Sequence, residues 1–238
     1  MTRITDIWVY LGASPLLWLT ATVLAYALAF ALFQRAGQSP LLNPVALSVT
    51  LLIATLTLTG TSYATYFEGA QFLHFLLGPA TVALAVPLYA NFAAVRRAAL
   101  PMLAALVAGV VTAVASAVGV AVLLGASRET VLSLAPKSVT TPIAMGIAEQ
   151  IGGIPSLTAA LVILTGIIGG MAATRIYEAL GIRDFRARGF AIGIAAHGIG
   201  TARAFQVSPV AGTFAGIAMA LNGLLTALLV PALVSLFR

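Results

Sequence analysis

The sequence predicts an all-α, polytopic integral membrane bundle with interrupted or re-entrant helices, and three observations carry that prediction. Hydrophobic residues make up 61% of the 238 positions and charged residues 8%, with a mean hydropathy of +1.08. So few charges cannot cover a soluble globule, whereas the apolar length suffices for several spans of about 20 residues. Long apolar runs also alternate with weaker ones broken by proline and glycine, residues that remove an amide donor or loosen a helix.

In chain order, the first run, about 7–33, is too long for a signal-peptide core and has no small-residue cleavage pattern after it, so it is expected to be a span. Continuous spans are expected at about 41–60, 99–125, 155–178 and 214–237. Three weaker segments lie between them: 63–94, with Pro79 and Pro87; 130–152, with Pro136 and Pro142; and 189–206, with Gly193, Gly198 and Gly200. These are expected to be broken helices or re-entrant hairpins that protein or a wet cavity shields from lipid. All eight segments belong to one transmembrane domain, 1–238.

The 12 Lys and Arg exceed the 6 Asp and Glu, for a formal charge of +6. They are scattered between apolar runs and form no basic face for nucleic acid, so the charge reads as topological. Arg96 with Arg97, and Arg183 with Arg186 and Arg188, are the two clusters. Placing both on the cytoplasmic side makes Arg35 internal too and requires 130–152 to return to the side it came from. Gly78-Pro-Ala-Thr-Val82 and Ala135-Pro-Lys-Ser-Val139 share the pattern small-Pro-x-hydroxyl-Val. This two-fold internal echo is of the kind that marks paired interrupted segments in secondary transporters, with chance recurrence among 22 Gly and 11 Pro as the alternative.

Two polar stretches stand out from the apolar background: Ser133-Leu-Ala-Pro-Lys-Ser-Val-Thr-Thr-Pro142 and Ala196-His-Gly-Ile-Gly-Thr-Ala-Arg203. Each puts a cation and hydroxyls at membrane depth, which makes them the candidate binding site. Other chemistries are excluded. Cysteine is absent, and the two histidines lie far apart with no acidic partner at metal-site spacing, so no metal or cofactor is expected. No Gly-x-Ser-x-Gly elbow and no phosphate-cradling Gly-Lys-Ser/Thr loop occurs, which argues against an enzyme and against ATP-driven transport.

The runs Leu41-Leu-Asn-Pro44, Phe75-Leu-Leu-Gly-Pro-Ala-Thr-Val-Ala-Leu-Ala-Val-Pro-Leu-Tyr89, Ser133 to Met145, Ile147-Ala-Glu149 and Ala195-Ala-His-Gly-Ile-Gly-Thr-Ala-Arg-Ala204 resemble the LrgB/CidB family, in order and spacing over about 40–237. The resemblance implies a multi-pass protein of the bacterial inner (cytoplasmic) membrane, usually paired with a smaller LrgA/CidA-type membrane protein. It also implies two competing functions. One is antiholin-like regulation of murein hydrolases and lysis; the other is transport of small monocarboxylates resembling pyruvate, glycolate or lactate.

Residue chemistry favours transport. Lys137 or Arg203 would each cost about 2.5–3.5 kcal/mol at the centre of an isolated membrane helix, so something must offset them. A small organic anion would do so. The ammonium or guanidinium supplies charge, and the Ser138, Thr140, Thr141 and Thr201 hydroxyls supply hydrogen bonds. Helix ends beside Pro136 and Gly200 supply free amides, and Gly198 and Gly200 permit close backbone approach. His197 could add a proton-dependent donor. Asn43, Thr81 and Glu149 are secondary candidates. The bland alternatives are a snorkelling Lys137, an Arg203 paired with Glu149 or Glu178, a packing role for His197 and a helix-start role for Asn43. Small-residue faces at Gly166–Gly170 and at Ala115, Ser116 and Gly119 allow close helix contact within the bundle or across a homodimer.

Overall fold

The computed structural model describes residues 14–83, 86, 89 and 92–236. Among them the chain is helical, with no strand. The start of the first expected span and Pro87 lie outside the described residues. The chain forms two compact units, 1–83 and 84–238.

In the first unit, α1 (Pro15–Arg35), α2 (Pro44–Thr59) and α3 (Tyr63–Ala83) follow one another, with a 3-10 turn at Pro40–Leu42 before α2. Asn43 starts α2 by accepting from the Val45 and Ala46 amides at 2.9 and 3.2 Å. The packing seam of this unit is aromatic: buried Trp18 meets Tyr66 edge-on at 6.0 Å. Gly69 lies against the Pro15 carbonyl, where no Cβ would fit. Helix α3 continues through Pro79, where a break was expected. Membrane helices accommodate such prolines because local adjustment satisfies the freed carbonyl.

The second unit comprises α4 (Phe92–Arg97), α5 (Ala99–Leu123), α6 (Arg128–Leu134), α7 (Thr141–Ile151), α8 (Pro155–Ala179), α9 (Phe185–Val207) and α10 (Pro209–Leu236). With α1, the helices α5, α8 and α10 are long and apolar enough to cross a membrane. Their outward faces carry exposed Leu103, Val107, Leu164, Ile168, Leu224 and Leu228, a surface suited to lipid. Helix α10 begins at Pro209, five residues before the expected 214, because proline's fixed φ suits a first turn.

Helices α6 and α7 form a hairpin. At 1.5 Å per residue they reach about 10 and 16 Å, too short to cross a hydrocarbon core of about 30 Å. Ser127 caps α6 through the Thr130 amide, Pro142 opens α7, and Gly152 closes it at φ 91°. Ser133 pins the hairpin to α8: its hydroxyl accepts from the Ile154 amide at 2.7 Å, and its carbonyl accepts from the Thr158 hydroxyl at 3.0 Å. Ala135, Val139, Ala144, Ile147 and Ile151 then pack with Val162 and Val230. The hairpin tip, 135–140, is therefore packed mostly within protein, with Lys137 and Thr140 half-buried.

Helices α9 and α10 lie in close contact because Gly189 and Gly193 present no Cβ to the carbonyls of Ala211 and Ala215. Phe190 and Ile194 join Met102, Leu106 and Val110 of α5 and Phe214 and Ile217 of α10 in one core. Helix α9 is two half-helices, 185–195 and 198–207, joined through non-helical Ala196 (φ −130°, ψ 19°) and His197 (φ 40°, ψ −135°). A break was expected here, but at the glycines. Instead Gly193 serves helix packing, and Gly200 fits where a Cβ would lie 2.6 Å from the Ala196 Cβ. The two echoed pentapeptides also differ: 78–82 is helical, whereas 135–139 is the hairpin tip.

Candidate functional site

The two interrupted segments of the second unit meet. The hairpin tip carries Lys137, whose ammonium lies 3.1 Å from the Ser138 hydroxyl. Both residues line a cleft of about 560 Å³ with Thr112 and small residues of α5 and with Phe190, Ile194 and Ala195 of α9. That volume holds a small carboxylate and several waters at about 30 Å³ each. Lys137 is the sole lysine among the chain's 12 Lys and Arg. Among the described residues the cleft is lined by no carboxylate, and none lies within ion-pair distance of Lys137.

His197 is the second element. It is buried, and its Nε2 lies 2.8 Å from the Val162 carbonyl of α8. Its backbone sits where side-chain-bearing residues are strained, and the surroundings fix it there. Gly166 makes room for the ring, since a Cβ there would lie 2.7 Å from Cε1. The Thr201 hydroxyl returns to the His197 carbonyl at 2.8 Å, inside the second half-helix.

Asn222 of α10, 1% exposed, joins the two breaks. Its amide nitrogen donates to the Ser138 carbonyl at 2.9 Å and to the Ile194 carbonyl at 3.0 Å, and its Oδ1 accepts from the Thr226 hydroxyl at 3.2 Å. Sequence reasoning missed this residue. The signal was available: an asparagine inside an otherwise apolar span.

The remaining candidates lie elsewhere. Arg203 lines a different, smaller recess with Tyr177, Phe185 and Arg188, and its guanidinium reaches Gln206 Oε1 at 3.3 Å. Arg188 sits over the Tyr177 and Phe185 rings and donates to the Ile182 carbonyl at 2.6 Å. Thr140 and Thr141 are half-buried at the start of α7; Gly198 is half-buried, Gly200 is packed under the break, and Glu149 and Glu178 are exposed. Asn43 and Thr81 belong to the first unit, where Asn43 is a helix cap. The exposed Asp184 at the head of α9 pairs with Arg186 at 2.7 Å, and those hydrogen bonds hold its carboxyl down at about 2.

Comparison with known proteins places the chain among relatives of one family. Residues 22–236 match the model of the LrgB-like family. YwbG, an uncharacterized protein of Bacillus subtilis, is 36% identical over 90% of this chain and 95% of its own length. A protein of Haemophilus influenzae is 32% identical over 88% and 90%. The holin-like protein CidB of Staphylococcus epidermidis is 29% identical over 86% and 89%. No solved structure matches.

Proposed function

We propose, on the premise that the chain belongs to the LrgB-like family, that this multi-pass membrane protein carries small monocarboxylates across the bacterial inner membrane. One observation carries the reading: the sole lysine lines a mostly apolar cleft with no carboxylate beside it among the described residues. A half-buried cation at membrane depth without a counter-charge is costly, and a pyruvate-, glycolate- or lactate-like anion supplies that charge. The Ser138 hydroxyl accompanies the ammonium as a hydrogen-bond partner.

Transport needs the cleft to be wet from alternate sides, and breaks in two helices give it hinges. His197 links the break in α9 to α8 through the Val162 carbonyl, so its protonation is the step we assign to proton coupling. With α5 and α8 crossing and the α6–α7 hairpin re-entrant, the 96–97 and 183–188 arginines fall on one side, which we take as cytoplasmic. An LrgA/CidA-type protein is the expected membrane partner, and a second copy of the chain is an alternative neighbour.

The holin-like name of the Staphylococcus relative favours a second reading, regulation of murein hydrolases and lysis without transport. Uptake of labelled pyruvate, glycolate and lactate into proteoliposomes separates the two, with and without the partner and under an imposed pH gradient. Carriage predicts saturable uptake that Lys137→Ala sharply reduces. Absence of saturable uptake for every acid in both partner states selects the regulator.

A further inference from the structure

We infer that Asn222 is the positioning residue of the anion site, a single amide that holds the Lys137 turn and the break in α9 in register. The inference rests on the transport reading for its ligand and on geometry for its mechanism. Helix ends leave carbonyls without intrahelical donors, and inside a membrane each needs a partner. Ile194 lies in the last turn of the half-helix 185–195, and Ser138 lies in the turn between α6 and α7. Asn222 gives one N–H to each of their carbonyls. Its Oδ1 takes the Thr226 hydroxyl, which fixes the amide orientation so that both donors face the breaks.

No apolar residue could do this. An amide in a near-dry location is costly unless its hydrogen bonds are made, and here both donors and the oxygen are used. Ser138, whose carbonyl it holds, follows Lys137 directly in the chain, so the place where the ammonium meets the cleft depends on α10, a helix that lines none of that cleft. Asn222 does not touch the ligand and acts through the turn. Losing it frees the turn and misplaces the charge while leaving the hairpin pinned through Ser133 and Thr158.

The test uses the full chain in proteoliposomes with three variants: Asn222→Asp, nearly the same size with its donors removed; Asn222→Leu; and Asn222→Gln, which keeps both donors. Two readouts are taken, the KM and maximal rate of labelled pyruvate uptake, and the acylation rate of Lys137 by an amine-specific reagent. Because Lys137 is the sole lysine, peptide mass spectrometry reads that rate at one side chain. Asn222→Asp and Asn222→Leu are expected to raise KM about tenfold, the loss of one or two buried hydrogen bonds, with maximal rate changed far less. Both also change the acylation rate, and Asn222→Gln recovers part of each. Variants that insert with unchanged KM and acylation overturn the inference, as does a fall in maximal rate alone. If the wild type takes up no acid, the transport reading is lost, and the acylation rates decide the positioning claim. If Asn222 variants fail to insert, Thr226→Val decides: a smaller shift in the same direction supports the inference and no shift overturns it.

Discussion

The two interruptions of the second unit are built in opposite ways. The turn at 135–140 is local chemistry: Pro136 and Pro142 deny amides, and Lys137 and Val139 amides close short turns onto Leu134 and Pro136 at 3.1 and 3.3 Å. None of its residues adopts a positive φ. The break in α9 is imposed from outside, since Ala196 and His197 have no backbone reason to leave the helix. His197 sits at φ 40° because its ring is seated on α8 beside Gly166 and the neighbouring carbonyl of Ile194 is held by α10. One hinge begins in its own prolines and is then tied by Asn222 through the Ser138 carbonyl; the other is written in its neighbours.

Substitutions at each hinge test that contrast. The largest effect belongs to the charge on the local hinge: Lys137→Ala should cut saturable uptake about 10- to 100-fold, the worth of one charged hydrogen bond, while the protein still inserts. Next comes the seat of the imposed hinge. Gly166→Ala should lower stability by about 1–3 kcal/mol by pushing the ring off Val162. Gly119→Ala, where a Cβ meets nothing within 4 Å, should not destabilise and serves as the control. Thermal unfolding in detergent reads both.

A smaller effect isolates backbone strain. His197→Gly and His197→Ala lose the same ring, yet the glycine variant should be the more stable by about 1 kcal/mol, the reverse of ordinary helix positions. Equal stabilities would mean that position 197 is unstrained. Smallest is the surface cap at Asp184, whose carboxyl is held at about 2, below its usual 3.8, by hydrogen bonds from Arg186. A depressed carboxyl contributes above its unfolded value and loses that contribution as pH falls through its folded one. The small thermal-midpoint difference between wild type and Asp184→Asn should therefore hold above about pH 4 and shrink toward pH 2. A difference that grows on acidification would contradict the pairing.

The same division governs what could be read in advance. The helical membrane class, the hairpin around Pro136 and Pro142, and the polar pair Lys137 and Ser138 were legible because composition and proline act locally. Helix α3 passed through Pro79 because neighbouring structure can satisfy a freed carbonyl, which no local rule reports. The glycines of α9 signalled a break and served mainly as contact points, so the kink fell instead at an Ala-His pair. Arg203 resembled Lys137 in sequence but lines another recess, since burial beside one cavity or another depends on packing between distant helices. Asn222 was visible as an asparagine in an apolar span, but its role was not, because both its donors go to backbone carbonyls, which leave no trace in side-chain motifs.

The claim at the centre of this account is that the Lys137 ammonium receives a small anion in the cleft between α5, the hairpin tip and α9. Acylation of that sole lysine, followed at the 137-containing peptide while pyruvate, glycolate or lactate is titrated in, tests it most directly. Saturable protection by at least one of these acids, with none from a neutral analogue of the same size, is the predicted result. An acylation rate that no acid alters at any concentration would contradict it.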